Sequence, residues 1–157
     1  MDKYEITLTV NGKEYTVQVD AELRLVDLLR NHLRLLGAKE GCGKGECGSC
    51  TVLMDGKSVA SCLVLAVQAD GADIVTVEGL GGGDALHPLQ DAFIRHGAVQ
   101  CGYCTPGMLM SAKYLLDTNP RPSREEIRAA IAGNLCRCTG YTKIIDAIQA
   151  VAEGREE

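Results

Sequence analysis

The chain has 157 residues, 46% apolar and 24% charged, with a formal net charge of −5. That size is one moderate domain or two small ones, with the composition of a folded globular protein and not of a disordered one. With no basic run or arginine-rich helix, it offers nothing to the phosphates of nucleic acid, which need clustered Lys and Arg.

The N-terminus, MDKYEITLTV, has no positive segment leading into an apolar one and so does not read as a signal peptide. No apolar run approaches the roughly 20 residues of a spanning helix. The expected compartment is therefore the cytoplasm. Aromatic residues are 4%, with Phe93 the sole phenylalanine and no tryptophan, and a small core lacking bulky rings gains less from burial. Eight cysteines are the obvious supplement. In a reducing compartment they read as metal ligands and not as disulfides.

Ile6, Leu8 and Val10, then Tyr15, Val17 and Val19, alternate on either side of Asn11-Gly12, which predicts a β-hairpin. Leu25, Leu28, Leu29 and Leu33 recur at helical spacing, predicting a helix that Gly37 can end. A cysteine- and glycine-rich loop, CGKGECGSC (42–50), follows. CTVLMDGKSVASC then offers a second hairpin around Asp55-Gly56, and DIVTV (73–77) one more strand. A sheet with a helix packed across it results.

GLGGGDA (79–85) breaks the pattern and marks a flexible connection. The division is thus 1–78, a linker at 79–85, and 86–157. Beyond the linker every segment reads helical. Pro88 suits the first turn of a helix carrying Leu89, Ala92 and Phe93, with His87 placed to cap it. Thr105-Pro106 suits an N-cap and first helical position, for a helix running to about Asp117. Ser123 and Glu126 form a capping box, with Gly133 a plausible stop. Ile144, Ile145, Ile148 and Val151 stripe a last helix that Gly154 follows, before a tail, EGREE, that looks frayed. Four such helices can close a small bundle.

Cys42, Cys47, Cys50 and Cys62 are spaced C-x4-C-x2-C-x11-C, the plant-type pattern for a [2Fe–2S] cluster. Three thiolates must converge from one loop curled around a compact anionic core. Gly41, Gly43, Gly45 and Gly48 allow positive φ and close backbone approach, so amides can point at sulfur. Cys62 returns from the far strand of the hairpin as the fourth ligand. A structural zinc site is the competing reading, but zinc uses paired C-x2–4-C knuckles and does not ask for this glycine density.

Cys101, Cys104, Cys136 and Cys138, spaced C-x2-C-x31-C-x-C, are less specific. They sit at helix boundaries, where unpaired N–H groups and the positive dipole end favour thiolates. C-x-C is awkward for a zinc knuckle, yet spacing leaves both a second cluster and zinc open.

Other residues have plainer readings. His32, His87 and His96 are ligands only in principle. Met108 and Met110 read as core filler, and Glu46 as a solvated loop charge. Tyr103 reads either as a shield over the second set or as an aromatic packed under a turn. No nucleophile with an adjacent base, Walker or Rossmann motif, or oxyanion-hole signature is present, so the chain shows no substrate site of its own.

GCGKGECGSCTV, VQCGYCTPGM and GNLCRCTGY together resemble the small iron–sulfur subunit of the molybdenum hydroxylase (xanthine oxidase) family, which includes xanthine and carbon monoxide dehydrogenases and hydroxybenzoyl-CoA reductase. The resemblance runs from about residue 5 to residue 151, with no departure at any of the eight cysteines. It implies an α+β chain: a β-grasp ferredoxin domain followed by a four-helix domain, each carrying one [2Fe–2S] cluster. It further implies that the first cluster faces an FAD-binding medium subunit and the second faces molybdopterin in a large subunit, in a heterotrimer or its dimer. By the same resemblance Gln100 contacts the pterin and Cys138 lies nearest to it. The expected function is relay of single electrons between the molybdenum site and FAD. The competing classes are a free-standing ferredoxin-type carrier, which would need only residues 1 to about 80, and a zinc-stabilised binding module.

Overall fold

Two hairpins and a closing strand form the sheet. In the computed structural model, which describes residues 3–154, β1 (Lys3–Val10) and β2 (Lys13–Asp20) pair antiparallel. Their turn residues, Asn11 and Gly12, both take positive φ, 52° and 78°, the geometry whose twist matches a two-residue hairpin. Strands β3 (Thr51–Met54) and β4 (Lys57–Ala60) repeat the device at Asp55-Gly56, with φ of 50° and 76°. Strand β5 (Asp73–Val75) runs parallel to β1 and antiparallel to β3, giving the order β2-β1-β5-β3-β4. Period-two alternation turns Ile6, Leu8 and Val10 to one buried face, as the pleat requires. The end of the predicted tail, residues 155–157, lies outside the described residues.

The segment across the sheet departs from the predicted helix. One turn, α1 (Leu25–Asp27), widens at once into a π-type turn over Leu28–His32, in which Leu33 N–H donates to the Leu28 carbonyl at 3.0 Å. Arg34 then turns left-handed, at φ 61°. The Arg30 guanidinium donates to the carbonyls of Leu36 (3.0 Å) and Ala38 (2.8 Å), satisfying the unwound backbone. Leu25, Leu28 and Leu29 are fully buried, and the wide turn brings both Leu33 and Leu35 onto the same core. Gly37 ends no helix. A Cβ there would stand 2.3 Å from Val77 Cγ1, so close approach is what demands glycine.

The last strand stops at Val75, and a polar knot holds the exit. Buried Thr76 donates its N–H to Asn11 Oδ1, and Asn11 Nδ2 donates to Thr76 Oγ1, each at 2.9 Å. The Thr76 hydroxyl donates to Glu78 Oε2 at 2.5 Å, and Gly37 N–H donates to Glu78 Oε1 at 2.6 Å. Val77 and Leu80 already pack against the second core.

The four predicted helices are present: α2 (Pro88–Arg95), α3 (Thr105–Thr118), α4 (Arg124–Ile131) and α5 (Thr142–Ala152). Leu89, Phe93, Met108, Ile127, Ile131, Ile144 and Ile148 fill their common core, and Met110 is buried as well. His87 caps α2, its Nδ1 accepting from Leu89 N–H at 3.2 Å. Ser123 and Glu126 close their box on α4, with Ser123 N–H donating to Glu126 Oε2 at 2.7 Å. Gly154, at φ 65°, follows α5 as expected. At α3 the cap lies one residue earlier than predicted: Cys104 holds it, and Thr105-Pro106 begin the helix. Helix α3 packs against β3 and β4, joining the bundle to the sheet.

Candidate metal centres

The loop from Gly41 to Cys50 wraps back on itself because its glycines permit it. Gly43, Gly45 and Gly48 have φ of 68°, 78° and 71°, which a side chain would resist. The turn aims the amides of Lys44 (3.4 Å) and Glu46 (3.3 Å) at Cys42 Sγ. Those amides, with that of Cys47, pull the Cys42 thiol down to about 7. Cys50 and Cys62 are buried with Val26 and Ala60. Cys62 lies two residues past β4, and burial first, then contact with Cys50, pushes its thiol up to about 11. Cys42 thus meets Cys47, Cys50 meets Cys62, and the Cys42 charge still acts on Cys62.

An arginine that sequence reading passed over fixes this loop. Arg24 donates from Nε to Asp27 at 2.7 Å and from Nη1 to Glu40 at 2.6 Å, and its Nη2 reaches both carboxylates at 3.1 Å. Glu40 first, then Asp27, hold the guanidinium firmly charged. The clasp ties the start of the cysteine loop to α1. Glu46 pairs with Lys44 at the exposed loop surface, 3.3 Å apart.

The second set assembles from two turns. Cys101 and Cys104 lie in the segment between α2 and α3; Cys136 and Cys138 lie between α4 and α5. Cys104 meets Cys136, and burial first, then that contact, pushes Cys104 up to about 12. Cys101 meets Cys138, whose thiol is raised by that contact. Burial acts to raise Cys136, but the Thr139 hydroxyl (3.0 Å) and amide (3.4 Å) hold it below the ordinary thiol range. Tyr141 takes φ 71° and accepts the Cys136 N–H on its hydroxyl at 2.8 Å, fixing the backbone of that turn. Cys101 and Cys138 are exposed, and so are Val99, Gln100 and Leu135 around them.

Among the described residues, no three His, Cys, Asp or Glu side chains gather about one ion-sized point. The thiols meet two by two, in four pairs that make two quartets, and none is in a disulfide. Four thiols in each set match the four-cysteine ligation of a [2Fe–2S] group. The donor sets and the amides aimed at sulfur fit two [2Fe–2S] groups.

The comparisons agree. Residues 8–74 match the family described as "2Fe-2S iron-sulfur cluster binding domain", and residues 76–149 match the family described as "[2Fe-2S] binding domain". The nicotine 6-hydroxylase small subunit of Paenarthrobacter nicotinovorans is 57% identical, covering 94% of this chain and 88% of that one. The nicotinate dehydrogenase small FeS subunit of Eubacterium barkeri is 50% identical, covering 98% of each. The chain belongs to the small iron–sulfur subunits of the molybdenum hydroxylases. A crystal structure of quinoline 2-oxidoreductase from Pseudomonas putida 86 superposes with a TM-score of 0.94 at 54% identity, over 98% of this chain and 96% of that one. A small iron–sulfur subunit of this family is an electron-transfer component of an oxidoreductase.

The two cysteine turns of this iron–sulfur subunit touch. Leu135 N–H donates to the Cys47 carbonyl at 2.9 Å, one residue before Cys136. The Tyr103 hydroxyl donates to the Glu40 carbonyl at 2.6 Å, so this half-exposed ring bridges the two turns. Sequence reading missed Arg24, Thr139 and Tyr141. The last two lie inside the GNLCRCTGY motif, and that is the signal that could have found them.

Proposed function

We propose that Cys42, Cys47, Cys50 and Cys62 hold one [2Fe–2S] cluster and Cys101, Cys104, Cys136 and Cys138 a second, and that the chain relays single electrons between a molybdopterin-bearing large subunit and an FAD-bearing medium subunit. The observation that carries this is a pair of cysteine turns, one with the Lys44 and Glu46 amides on Cys42 Sγ and the other with Thr139 on Cys136 Sγ, joined by the Leu135–Cys47 hydrogen bond. Bound in these sites, each cluster supplies a one-electron couple whose potential depends on hydrogen bonds to sulfur and on solvent exposure. The chain's own residues set those variables. Lys44 and Glu46 amides favour negative charge at Cys42, and Thr139 does the same at Cys136. Burial of Cys50 and Cys62 keeps water from that side of the first site.

The exposed side of the second site, with Cys101, Cys138, Gln100, Val99 and Leu135, supports docking of the pterin-bearing partner there, Gln100 meeting the pterin and Cys138 lying nearest to it. Exposed Leu63 beside Cys62 supports a contact for the flavin-bearing partner at the first site. A heterotrimer or its dimer, in the cytoplasm, is the assembly proposed. Among the described residues no helix is long and apolar enough to cross a membrane. We place the two units at 1–78 and 86–157 with the connection at 79–85, supported by the buried members of the two apolar cores, which end at Ile74 and resume at Leu89, while Val77 and Leu80 pack against the second.

Purified protein should carry about four irons per chain, and dithionite reduction should give two distinct electron paramagnetic resonance signals. Zinc without iron, or a single signal, sinks the proposal. Cys138→Ser should disturb the signal of the helical unit and spare the other; the reverse would overturn the ligand assignment.

A further inference from the structure

We infer that Asn134 is the positioning residue that sets the spacing and orientation of the two cysteine quartets, its carboxamide acting as a buried strut between the Cys47–Gly48 backbone and α3. The inference rests on the two-cluster reading above.

Asn134 is 4% exposed. Its Nδ2 donates to the Gly48 carbonyl at 3.0 Å, across 86 residues of sequence. Its Oδ1 accepts the Ser111 hydroxyl at 2.8 Å. The Gly48 carbonyl fixes the amide's orientation, since a carbonyl oxygen accepts only and the reversed carboxamide would set two oxygens against each other. Neither side-chain hydrogen bond of Asn134 goes to a thiol, so it acts through its neighbours. The next residue, Leu135, donates to the Cys47 carbonyl, and the one after it is Cys136. The route between quartets therefore runs from Cys47 over one hydrogen bond into the residue preceding Cys136.

The strut sits where two stretches of backbone approach most closely. A Cβ on Gly48 would stand 2.4 Å from the Gly133 carbonyl and 2.6 Å from Asn134 Nδ2. A Cβ on Gly107 would stand 2.1 Å from the Gly48 carbonyl and 3.2 Å from the same Nδ2. Backbone meets backbone here, and the carboxamide lies between the approaching surfaces with both of its polar ends paired. Fully paired buried polar groups specify one arrangement where apolar packing admits slippage. Electron transfer between two centres falls steeply with separation, so a residue that fixes this contact acts on the rate without entering either ligand set.

The test uses the assembled, cluster-loaded complex. Asn134→Leu keeps the side chain's size and removes both hydrogen bonds; Ser111→Ala removes only the outer one. In the fully reduced state we expect each variant to keep the g-values of both signals. Asn134→Leu should lose or reduce the dipolar splitting between them and slow intramolecular electron exchange after a radiolytic pulse. Ser111→Ala should shift both readouts the same way and by less. A role in stability alone predicts a lower melting temperature with splitting and exchange rate unchanged, and that result overturns the inference. If Asn134→Leu fails to load clusters, Ser111→Ala decides, and unchanged splitting there counts against the inference. A parent protein without two signals fails the two-cluster reading itself, whereas two signals in the parent with unaltered variants fail only the role of Asn134.

Discussion

Gly48 shows how one position can be bound by two constraints. Its φ of 71° disfavours any side chain, and its Cβ would strike a backbone carbonyl. Gly56 has nearly the same φ, 76°, but open space around it. Gly56→Ala should cost about 1–2 kcal/mol, the ordinary penalty of left-handed backbone. Gly48→Ala should cost more, because a carbonyl cannot swing aside as a flexible side chain can. Melting temperatures of the two variants check this, and equal losses would refute it. At this scale the cysteines stood out in the sequence by their number and spacing. Arg24 and Asn134 did not. Glu40 and Gly48, the partners that tie them to the first cysteine loop, lie 16 and 86 residues away in sequence, and no local pattern announces a hydrogen bond that only the fold creates.

Helix α2 carries a titratable cap. His87 accepts a hydrogen bond on Nδ1, so it must be neutral there, and burial, followed by the nearby Lys113 charge, lowers its pKa. A lowered folded-state pKa means that protons bind the unfolded chain more readily. The cap's contribution is complete above about pH 6.5, the ordinary histidine value, and declines as pH falls below it toward the depressed folded value. His87→Asn retains an acceptor without a titration and should keep the pH 7.5 melting temperature while flattening its fall toward pH 5.5. His87→Ala should lose about 1 kcal/mol at pH 7.5, the usual worth of a cap. A parent-like pH slope in His87→Asn would remove the cap from the explanation. Caps, hairpins and stripes were readable because each is decided within a few residues. The exceptions are the α3 cap, one residue earlier than expected, and α1, where helical leucine spacing concealed a wider turn. Periodicity records which residues are buried, and the Arg30 hydrogen bonds to Leu36 and Ala38 that satisfy the unwound backbone leave no periodic trace.

Across the whole molecule, the order of elements was readable and the docking of the two halves was not. The Gly-rich stretch separated two patterns, but nothing in either pattern announced that α3 would lie against β3 and β4. Beside it Gly107 of α3 meets the Gly48 carbonyl of the first cysteine loop, a backbone approach that is among the least conspicuous features of a sequence. It follows that covalent continuity through residues 81–85 contributes little to holding the particle together. The stretch is mostly exposed, while Asn134–Gly48, Leu135–Cys47 and Tyr103–Glu40 fasten the halves elsewhere. A protease that nicks the chain there should yield two fragments on a denaturing gel that still migrate as one species in native chromatography, with the colour of both clusters undivided.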